Sequence, residues 1–368
     1  MKKVVIHGAT STSNFGDVLF AHLFYKKCLA LQDVQVDFLQ NGKYGIGDFL
    51  RKELLYDRTM SKGEFLKSDV FVFMSGGYFG EHSKAFIRNG NIRPIRIIKW
   101  YFRYFLPAVR FQKKGKPIFI LGIGGGPVTS RLLRKTMVSL MEKAVCVTVR
   151  DEETRDYFKR YGVKREILVT TDTAQVYTPD MLPPLEGFSL NSHKKHLFLH
   201  MNLTGETDAL IATKIAPSVI RFLEEHKDYD LVVGCDCVAG VDRIQDSETY
   251  KAIKAKEIVA QIYPYADSHQ FAALLNRMDL IVTTKLHVGI VGATLGKSVV
   301  SFPSHKEKTK RYYRQIGEEG RSVPLKEVTP EQVEAQLEKY YNKPIILPTD
   351  IYKLAEMNLS LLEKINDL

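Results

Sequence analysis

The chain has 368 residues, of which 45% are hydrophobic, and it carries a formal net charge of +11. This length exceeds what one hydrophobic core usually supports, so we expect two domains, and the hydrophobic content excludes an intrinsically disordered protein. No apolar run approaches the ~20 residues of a membrane-spanning helix. Residues 1–8 predict a strand that ends in a glycine turn, so we expect no signal peptide.

Cysteine usage gives no indication of a metal site. The four cysteines are Cys28, Cys146, Cys235 and Cys237, and all lie in apolar or strand-like contexts. The sequence Cys235-Asp236-Cys237 lacks the two-residue gap and the second pair of a zinc knuckle. We therefore expect reduced thiols, a cytoplasmic protein and no bound metal.

Short apolar strands alternate with helical patterns through the first half of the chain. Strands are predicted over 4–7, 34–39, 69–74, 117–122 and 144–149, and helices over 17–31 and 153–161. Strands that are apolar along their whole length and separated by helices are typical of a parallel, doubly wound sheet. The pattern predicts an α/β domain over residues 1–180.

The alternation breaks over 177–195, where prolines and aperiodic residues predict an interdomain linker. It then resumes, with strands predicted over 196–201, 230–234 and 299–303, a further strand that begins at Asp279, and helices over 209–226 and 268–278. We predict a second α/β domain over 190–345 and a cleft between the two domains. The remaining residues, 346–368, contain an amphipathic helix that we expect to pack back on the first domain.

The positive charge is concentrated in one part of the chain. Residues 82–141 contain thirteen lysines and arginines and no acidic residue, an excess larger than the net charge of the whole chain. We call the densest part, residues 91–116, the basic segment. Its cations are Arg93, Arg96, Lys99, Arg103, Arg110, Lys113, Lys114 and Lys116, interleaved with Ile97, Ile98, Trp100, Tyr101, Phe102, Tyr104, Phe105 and Phe111.

Two interpretations of the basic segment stay open. A basic helix with exposed aromatic residues suits an anionic membrane surface, which would make the protein peripheral at the inner face of a membrane. The same helix could instead pack its aromatic residues into the core and leave its cations in water. No recognised nucleic-acid-binding motif accompanies the charge, so we do not expect a nucleic-acid partner.

Three glycine-rich turns follow predicted strands and indicate a substrate crevice. They are residues 8–17, Ser75-Gly76-Gly77 and Gly122-Ile123-Gly124-Gly125-Gly126-Pro127. Glycine lets the backbone approach a ligand closely, and in the first turn Asn14 and Asp17 could hold a hydroxyl group where a helix begins. None has the spacing of a nucleotide-binding loop, and each alone could be a tight turn or a helix cap.

The stretch 279–317 places His287 and six of its cations after the ends of predicted strands. His287 follows Lys285 at i+2, so both side chains are predicted to leave the strand on one face. The other cations follow the next strand and are Lys306, Lys308, Lys310, Arg311 and Arg314. Strand ends of a parallel sheet face the ligand crevice, so this combination predicts proton transfer beside an anionic ligand. Arg150, at another strand end, is predicted either to bind such an anion or to pair with Asp151 or Asp172.

Taken in order, these motifs resemble the polysaccharide pyruvyl transferase family. The matching residues are Asn14-Phe15-Gly16-Asp17, Ser75-Gly76-Gly77, Gly122 to Pro127, Val149-Arg150-Asp151, the region of Asp172, Lys285-Leu286-His287 and Lys308. Each motif alone is generic, whereas the ordered set spans most of the chain. The resemblance implies a GT-B-like fold of two Rossmann-like domains, and transfer of the enolpyruvyl carbons of phosphoenolpyruvate onto a sugar as a pyruvate ketal.

The resemblance also implies roles for individual residues. The family's arginine, histidine and lysine map onto Arg150, His287 and Lys308, which places His287 as the catalytic residue. By charge, Lys285 and Arg311 join Arg150 and Lys308 in binding the phosphate and carboxylate of the donor. We expect the acceptor hydroxyls to be held by Asn14, Asp17, Gly76, Gly77 and Gly125. No cofactor is expected, because phosphoenolpyruvate is itself a substrate, and the basic segment favours a saccharide acceptor linked to a lipid diphosphate.

Two departures from the family pattern leave other functions open. Lys285 stands where the family has an arginine, and a lysine keeps the charge but loses the planar fork. The first strand of the second domain reads His200-Met201-Asn202, where the family often has an arginine. One alternative is a GT-B glycosyltransferase that uses a nucleotide sugar. The other is a non-catalytic partner protein that keeps the fold.

Overall fold

The computed structural model describes residues 1–39, 46–58, 60, 63–80, 87–88, 91–92 and 94–368. The chain forms two compact units. The first consists of Met1–Thr12, Asp17–Thr173 and Tyr352–Leu368, and the second of Ser13–Gly16 and Ala174–Ile351. A four-residue loop near the start of the chain is therefore part of the second unit, and the last seventeen residues are part of the first.

A parallel sheet forms the centre of the first unit. The strands of this unit are β1 (Lys2–His7), β2 (Val34–Phe38), β3 (Val70–Phe73), β4 (Gly76–Phe79), β5 (Ile87–Arg88), β6 (Asn91–Ile92), β7 (Ile118–Gly125), β8 (Cys146–Val149) and β9 (Leu168–Val169). The sheet has the order β2-β1-β3-β7-β8-β9, β4 also pairs with β7, and β5 and β6 form a separate antiparallel pair. Strands β3, β7 and β8 are buried at every position, as expected where helices cover both faces of a parallel sheet.

The helices of the first unit follow its strands. They are Phe15–Leu29, Asp48–Glu53, Glu64–Lys67, Pro94–Trp100, Tyr101–Phe105, Leu106–Gln112, Arg131–Glu142, Glu152–Tyr161, Ile351–Ser360 and Leu361–Ile365. The first of these helices begins in the second unit. Glu152–Tyr161 shows the local signals clearly, because Asp151 accepts the N–H of Thr154 at the start and Gly162 ends the helix in the left-handed conformation.

The C-terminal helix joins the first unit through one buried asparagine. Asn358 is fully buried, and its Oδ1 accepts hydrogen bonds from the hydroxyls of Thr148 (2.5 Å) and Thr170 (2.9 Å). Its Nδ2 donates to the carbonyl oxygen of Thr171 at 3.0 Å. The three threonines lie in β8 and just after β9, so the side-chain amide fixes the C-terminal helix to the end of this sheet.

The basic segment continues from β6 into three consecutive helical pieces, Pro94–Trp100, Tyr101–Phe105 and Leu106–Gln112. One face packs into the core, where Trp100 donates from Nε1 to the carbonyl oxygen of Tyr78 (3.0 Å) and Tyr104 stacks on the Tyr78 ring. Phe102, in contrast, is 51% exposed. Core packing therefore accounts for part of the aromatic content of this segment. Arg93 lies outside the described residues.

Two π-helical turns precede prolines. Tyr101–Phe105 comes before Pro107, and Ile211–Ile215 comes before Pro217. A proline lacks the N–H that would bond the carbonyl four residues earlier, and its ring crowds that carbonyl. Widening the preceding turn accommodates the ring without ending the helix. Of the described helices, none combines the length and hydrophobicity that a membrane crossing requires.

The second unit is built on its own parallel sheet. Its strands are β10 (Lys195–His200), β11 (Tyr229–Gly234), β12 (Ala260–Ile262), β13 (Leu280–Thr283) and β14 (Ser298–Ser301), in the order β12-β11-β10-β13-β14. Its helices are Thr173–Val176, Pro179–Met181, Gly205–Leu210, Ile211–Ile215, Ala216–Glu225, Val238–Val241, Glu248–Lys254, Ser268–Asn276, Leu286–Thr294, Lys306–Gln315, Glu319–Arg321 and Pro330–Tyr340. The first of these helices begins in the first unit. Two parallel sheets with helical crossovers confirm the predicted α/β class.

Strand β13 ends earlier than the sequence pattern indicates. It stops at Thr283, whose hydroxyl accepts the N–H of Lys285 (3.0 Å) and donates to the carbonyl oxygen of the same residue (3.2 Å). This tight turn makes Lys285 the N-cap of the helix Leu286–Thr294. His287 is the second residue of that helix, so the expectation that Lys285 and His287 leave a strand on one face is wrong.

A buried histidine makes the first unit sensitive to acid. His7 ends β1, is 5% exposed, and donates from Nε2 to the carbonyl oxygen of Tyr104 at 3.1 Å. Burial lowers the pKa of His7 to about 3, the hydrogen bond to Tyr104 opposes this shift, and the charge of Arg103 adds to it. The ring is therefore neutral in the folded protein.

We expect His7→Gln to reduce this acid sensitivity. Between pH 6.5 and about pH 3 the unfolded histidine binds a proton and the folded one does not, so stability falls as the pH falls through this window. From about pH 7.5 to about pH 5 the loss from His7 is about 2 kcal/mol. Glutamine can still donate to Tyr104 but does not titrate. Denaturant unfolding of both proteins at the two pH values measures the difference, and equal losses in both would contradict this assignment.

Candidate functional site

Asp236 lies at the centre of a polar cluster in the second unit. It follows β11 and is 5% exposed. Its Oδ1 lies 3.3 Å from Nζ of Lys285 and 3.3 Å from Nε2 of His200. Its Oδ2 accepts a 3.1 Å hydrogen bond from Nδ2 of Asn14, and its carbonyl oxygen accepts the N–H of Phe15 at 2.9 Å. One residue thus joins the Asn14 loop to the strand ends that carry His200 and Lys285.

The order of the sheet brings these side chains together. Strands β11, β10 and β13 are neighbours, and the carboxyl ends of parallel strands meet at one edge, where ligands usually bind. His200 is the last residue of β10, and its Nδ1 lies 3.3 Å from Oγ1 of Thr284, just after β13. The ring therefore lies between Asp236 on its Nε2 side and Thr284 on its Nδ1 side.

Asp236 is a buried carboxylate that keeps its charge. Burial by itself raises the pKa of a carboxyl group, because the ionised form loses its hydration. The ammonium of Lys285 and the ring of His200 more than offset burial and hold the pKa of Asp236 well below its usual range. Asp236 is therefore ionised at neutral pH and balances the charge of Lys285, whose side chain remains 30% exposed.

His287 packs directly against the backbone of Gly16. A Cβ atom at position 16 would lie 1.8 Å from Nδ1 and 2.2 Å from Cγ of the His287 ring, so only glycine fits there. The ring is half-buried and stands at the start of the helix Leu286–Thr294. The N-terminal turn of a helix presents N–H groups that have no intrahelical partner, and it attracts anions. The Gly16 loop therefore places His287 where an anionic ligand is favoured.

The next helix, Lys306–Gln315, divides its cations between two faces. Lys306, Lys310 and Arg314, spaced by four residues, pair with Glu327 (2.8 Å), Glu319 (3.6 Å) and Glu319 (3.5 Å), respectively. Lys308 is half-buried and Arg311 is 9% exposed, and their spacing of three places them on a different face. Three of the six cations near His287 in sequence are thus held by surface glutamates.

Arg150 is buried in the first unit between two aspartates. It follows β8, and its Nη1 lies 3.0 Å from Oδ2 of Asp172, while its Nε lies 3.9 Å from Oδ2 of Asp151. A Cβ atom at Gly124 would lie 2.6 Å from the same Nε, so the guanidinium lies against the glycine backbone. Both aspartate pairings considered for Arg150 are present.

The glycines expected to bind the acceptor also lie in the first unit. Gly76 and Gly77 begin β4, and Gly125 ends β7, where its N–H donates to Oγ1 of Thr154 at 3.0 Å. Gly122, earlier in β7, has a φ of +62°, and a Cβ atom there would lie 2.0 Å from Oγ of Ser75. Asp17 stands in the first turn of the helix Phe15–Leu29. Gly122 and Gly125 therefore need to be glycine, because a Cβ atom at either position would overlap a neighbouring side chain.

The sequence as a whole matches a known protein family. The sequence model of the family described as polysaccharide pyruvyl transferase matches residues 14–306. The matched range contains Asn14, Arg150, Lys285 and His287, and Lys308 lies just beyond its end. The chain belongs to the polysaccharide pyruvyl transferase family. The resemblance seen in the ordered motifs is thereby confirmed.

Solved structures of nucleotide-sugar enzymes share the fold of this pyruvyl transferase family member. UDP-GlcNAc 2-epimerase from Neisseria meningitidis, bound to UDP-GlcNAc, is 12% identical, with 99% of this chain and 100% of that chain covered and a TM-score of 0.60. The enzyme from Methanocaldococcus jannaschii is 12% identical (98% and 99% covered, TM-score 0.61), and MnaA from S. aureus, solved with UDP, is 13% identical (99% and 96% covered, TM-score 0.61). At such low identity the likeness shows the fold alone, and it confirms the GT-B-like α/β class. No curated protein sequence matched significantly.

Two residues of the cluster in this pyruvyl transferase family member, Asp236 and His200, are not predicted from the motifs. In the sequence, Asp236 stands between two cysteines and His200 belongs to a departure from the family pattern. The available signal was position, because each stands at the end of a predicted parallel strand, as Lys285 does. What the pattern could not show is that the strands order as β11-β10-β13, which makes the three ends adjacent.

We expect Gly16→Ala to impair transfer of the pyruvyl group as severely as a direct change at the site. The added methyl would overlap Nδ1 of His287, so the ring must move, and a displacement of about 1 Å can cost about 10²-fold in rate. Gly205→Ala is the matched control, because a Cβ atom there meets nothing within 4 Å. Steady-state kinetics of both variants test the contact; equal activity of Gly16→Ala and the control would show that the position of the ring is unimportant.

Proposed function

We propose that this protein transfers the enolpyruvyl group of phosphoenolpyruvate onto a sugar of a polysaccharide or of its oligosaccharide precursor, forming a pyruvate ketal. Membership of the polysaccharide pyruvyl transferase family supports the reaction class. The proposal includes phosphoenolpyruvate as the donor and a pyruvate ketal as the product. It also includes a cytoplasmic location, because phosphoenolpyruvate is made there.

The main support for this proposal is the set of residues at the carboxyl edge of the second sheet. Two helices begin there, one with His287 in its first turn and the other with Lys308 and Arg311 in its first two turns. Helix N-termini and cations together favour a small polyanion, and phosphoenolpyruvate offers both a phosphate and a carboxylate. Lys285 adds a partly exposed ammonium that Asp236 holds in place.

The reaction requires a proton, two sugar hydroxyls and a leaving phosphate. A proton is delivered to the methylene carbon of phosphoenolpyruvate, and one sugar hydroxyl forms a bond to the neighbouring carbon. The bond from that carbon to the phosphate oxygen then breaks, and its electron pair leaves with the phosphate. A second sugar hydroxyl then forms a bond to the same carbon and closes the ketal. Of the two protons released by the hydroxyls, one replaces the proton delivered to the methylene carbon and the other leaves with the phosphate.

Each proposed role follows from chemistry that the side chain can perform. His287 is the general acid for the methylene carbon, and a positioned acid of this kind contributes about 10²–10⁴-fold to the rate. Lys285, Lys308, Arg311 and Arg150 are assigned to the anionic groups of the donor, which they neutralise without a metal ion. Asn14, Asp17, Gly76, Gly77 and Gly125 are assigned to the acceptor.

A turnover assay with the purified full chain tests the proposal. Phosphoenolpyruvate is incubated with a panel of galactosides and hexosamine glycans, and release of inorganic phosphate is measured alongside the mass of each glycan. We expect phosphate release to depend on one class of acceptor and to match the mass gain of a pyruvate ketal. Transfer of a sugar from UDP-GlcNAc to the same acceptors, with no reaction of phosphoenolpyruvate, would refute it.

A further inference from the structure

The basic segment exposes an apolar stripe along its helices. Ile95, Ile98 and Phe102 are 67%, 49% and 51% exposed, respectively. Their spacing of three and four residues places them on one helical face. The opposite face is fixed in the core by Trp100 and Tyr104, whose rings contact each other at a tilt, with their centroids 4.7 Å apart. The exposed side chains are therefore carried on a firmly anchored helix.

Exposed cations lie along the same helices as this stripe. Arg96 and Lys99 are exposed and alternate with the three apolar residues along the helix. Further along, Arg110, Lys113 and Lys114 are also exposed, and among the described residues none of these five cations pairs with a carboxylate. Arg103 differs, because it donates to Oγ of Ser11 at 2.8 Å. The surface thus combines exposed hydrocarbon with uncompensated positive charge.

We propose that Ile95, Arg96, Ile98, Lys99 and Phe102, here called the docking face, bind the surface of a membrane that contains anionic lipids. A helix that lies in the membrane interface inserts its apolar side chains among the acyl chains and keeps its cations at the headgroups. Each lysine or arginine near such a surface strengthens binding about fivefold. This inference is independent of the donor and acceptor assigned to the sites above.

Charge complementarity selects a lipid surface over other occupants of the docking face. Two copies of this chain would bring identical basic surfaces together, and like charges placed opposite each other weaken an interface. A nucleic acid would match the charge but would leave Ile95 and Ile98 in water, since bases stack on aromatic rings and guanidinium groups rather than on aliphatic side chains. An anionic bilayer satisfies both the cations and the hydrocarbon.

Co-sedimentation of the full chain with vesicles tests the docking face. We expect binding to phosphatidylglycerol vesicles at low salt and little binding to phosphatidylcholine vesicles. Arg96→Glu with Lys99→Glu should weaken binding by at least about 25-fold. Serine at Ile95, Ile98 and Phe102 together should weaken it by about tenfold or more, including at salt concentrations that screen the charges.

Matched controls separate this surface from general effects of charge and hydrophobicity. Lys254→Glu with Lys256→Glu makes the same change of charge at exposed positions of the second unit, and Val259→Ser removes an apolar side chain that is 85% exposed. Both controls should bind vesicles as the unaltered chain does. Absence of binding to phosphatidylglycerol, unchanged binding by the serine variant, or a dimer that the serine variant abolishes would each overturn the proposal. Transfer to a soluble acceptor should be unaffected in every variant, so failure of this inference is distinct from failure of the proposed reaction.

Discussion

Replacement of His287 by alanine is expected to lower kcat for pyruvyl transfer by about 10²–10⁴-fold. The ring stands at the start of the helix Leu286–Thr294 and is held against Gly16, so its loss removes a positioned proton donor. Stability should change little, because the ring is half-buried and not part of the hydrophobic core. Single-turnover kinetics with saturating phosphoenolpyruvate measure the chemical step directly.

His287→Gln distinguishes proton transfer from simple binding of the phosphate. Glutamine can donate a hydrogen bond to an anion but cannot deliver a proton. If His287 is the general acid, both variants should have a low kcat. If it only binds phosphate, glutamine should retain kcat and raise KM, which would remove the catalytic assignment.

Replacement of Asp236 by asparagine should reduce both activity and stability. The carboxylate lies 3.3 Å from both Lys285 and His200, and a neutral amide of the same size leaves the ammonium without its partner. Removing one partner of a buried pair typically costs about 3–5 kcal/mol, and the 30% exposure of Lys285 places this case near the lower figure. We also expect KM for phosphoenolpyruvate to change, because Lys285 is no longer fixed.

The pH dependence of the Asp236→Asn effect identifies its cause. The pKa of Asp236 is lowered in the folded protein, so the stability that it contributes is present above the unfolded pKa of 3.8 and is lost as the pH falls toward the folded value. The difference in unfolding free energy between the two proteins should therefore be constant near neutral pH and shrink in acid. Asp228→Asn is the control, since its surface pair with Lys195 is exposed and should be worth less than about 1 kcal/mol. A similar loss in both variants would contradict the role of the buried carboxylate.

Much of the fold could be predicted because its signals are local. Apolar runs of four to six residues, separated by helical patterns and glycine turns, are sufficient to indicate strands such as β3 and β13. The break over 177–195 contains no α-helix in the structure; it holds one short 3₁₀ helix, Pro179–Met181, and β10 begins at its last residue, Lys195. The end of β13 could not be predicted from the spacing of apolar residues. It depends on the hydrogen bonds between the hydroxyl of Thr283 and the backbone of Lys285.

The candidate site was only partly predictable for a different reason. His287 and Lys285 stand in one short motif, so their proximity to a strand end is visible in the sequence. Asp236 is separated from Asn14 by more than two hundred residues, and only the hydrogen bond between their side chains in the folded chain shows that the two meet. The number of cations available to a ligand is smaller than the sequence indicates. Lys306, Lys310 and Arg314 pair with surface glutamates, and no local sequence pattern predicts these pairs.

Calorimetric titration of the full chain shows whether phosphoenolpyruvate is the donor. We expect saturable binding of phosphoenolpyruvate, weakened in a variant with Lys308→Ala and Arg311→Ala, and no comparable binding of UDP-GlcNAc. Saturable binding of UDP-GlcNAc with no binding of phosphoenolpyruvate would contradict it.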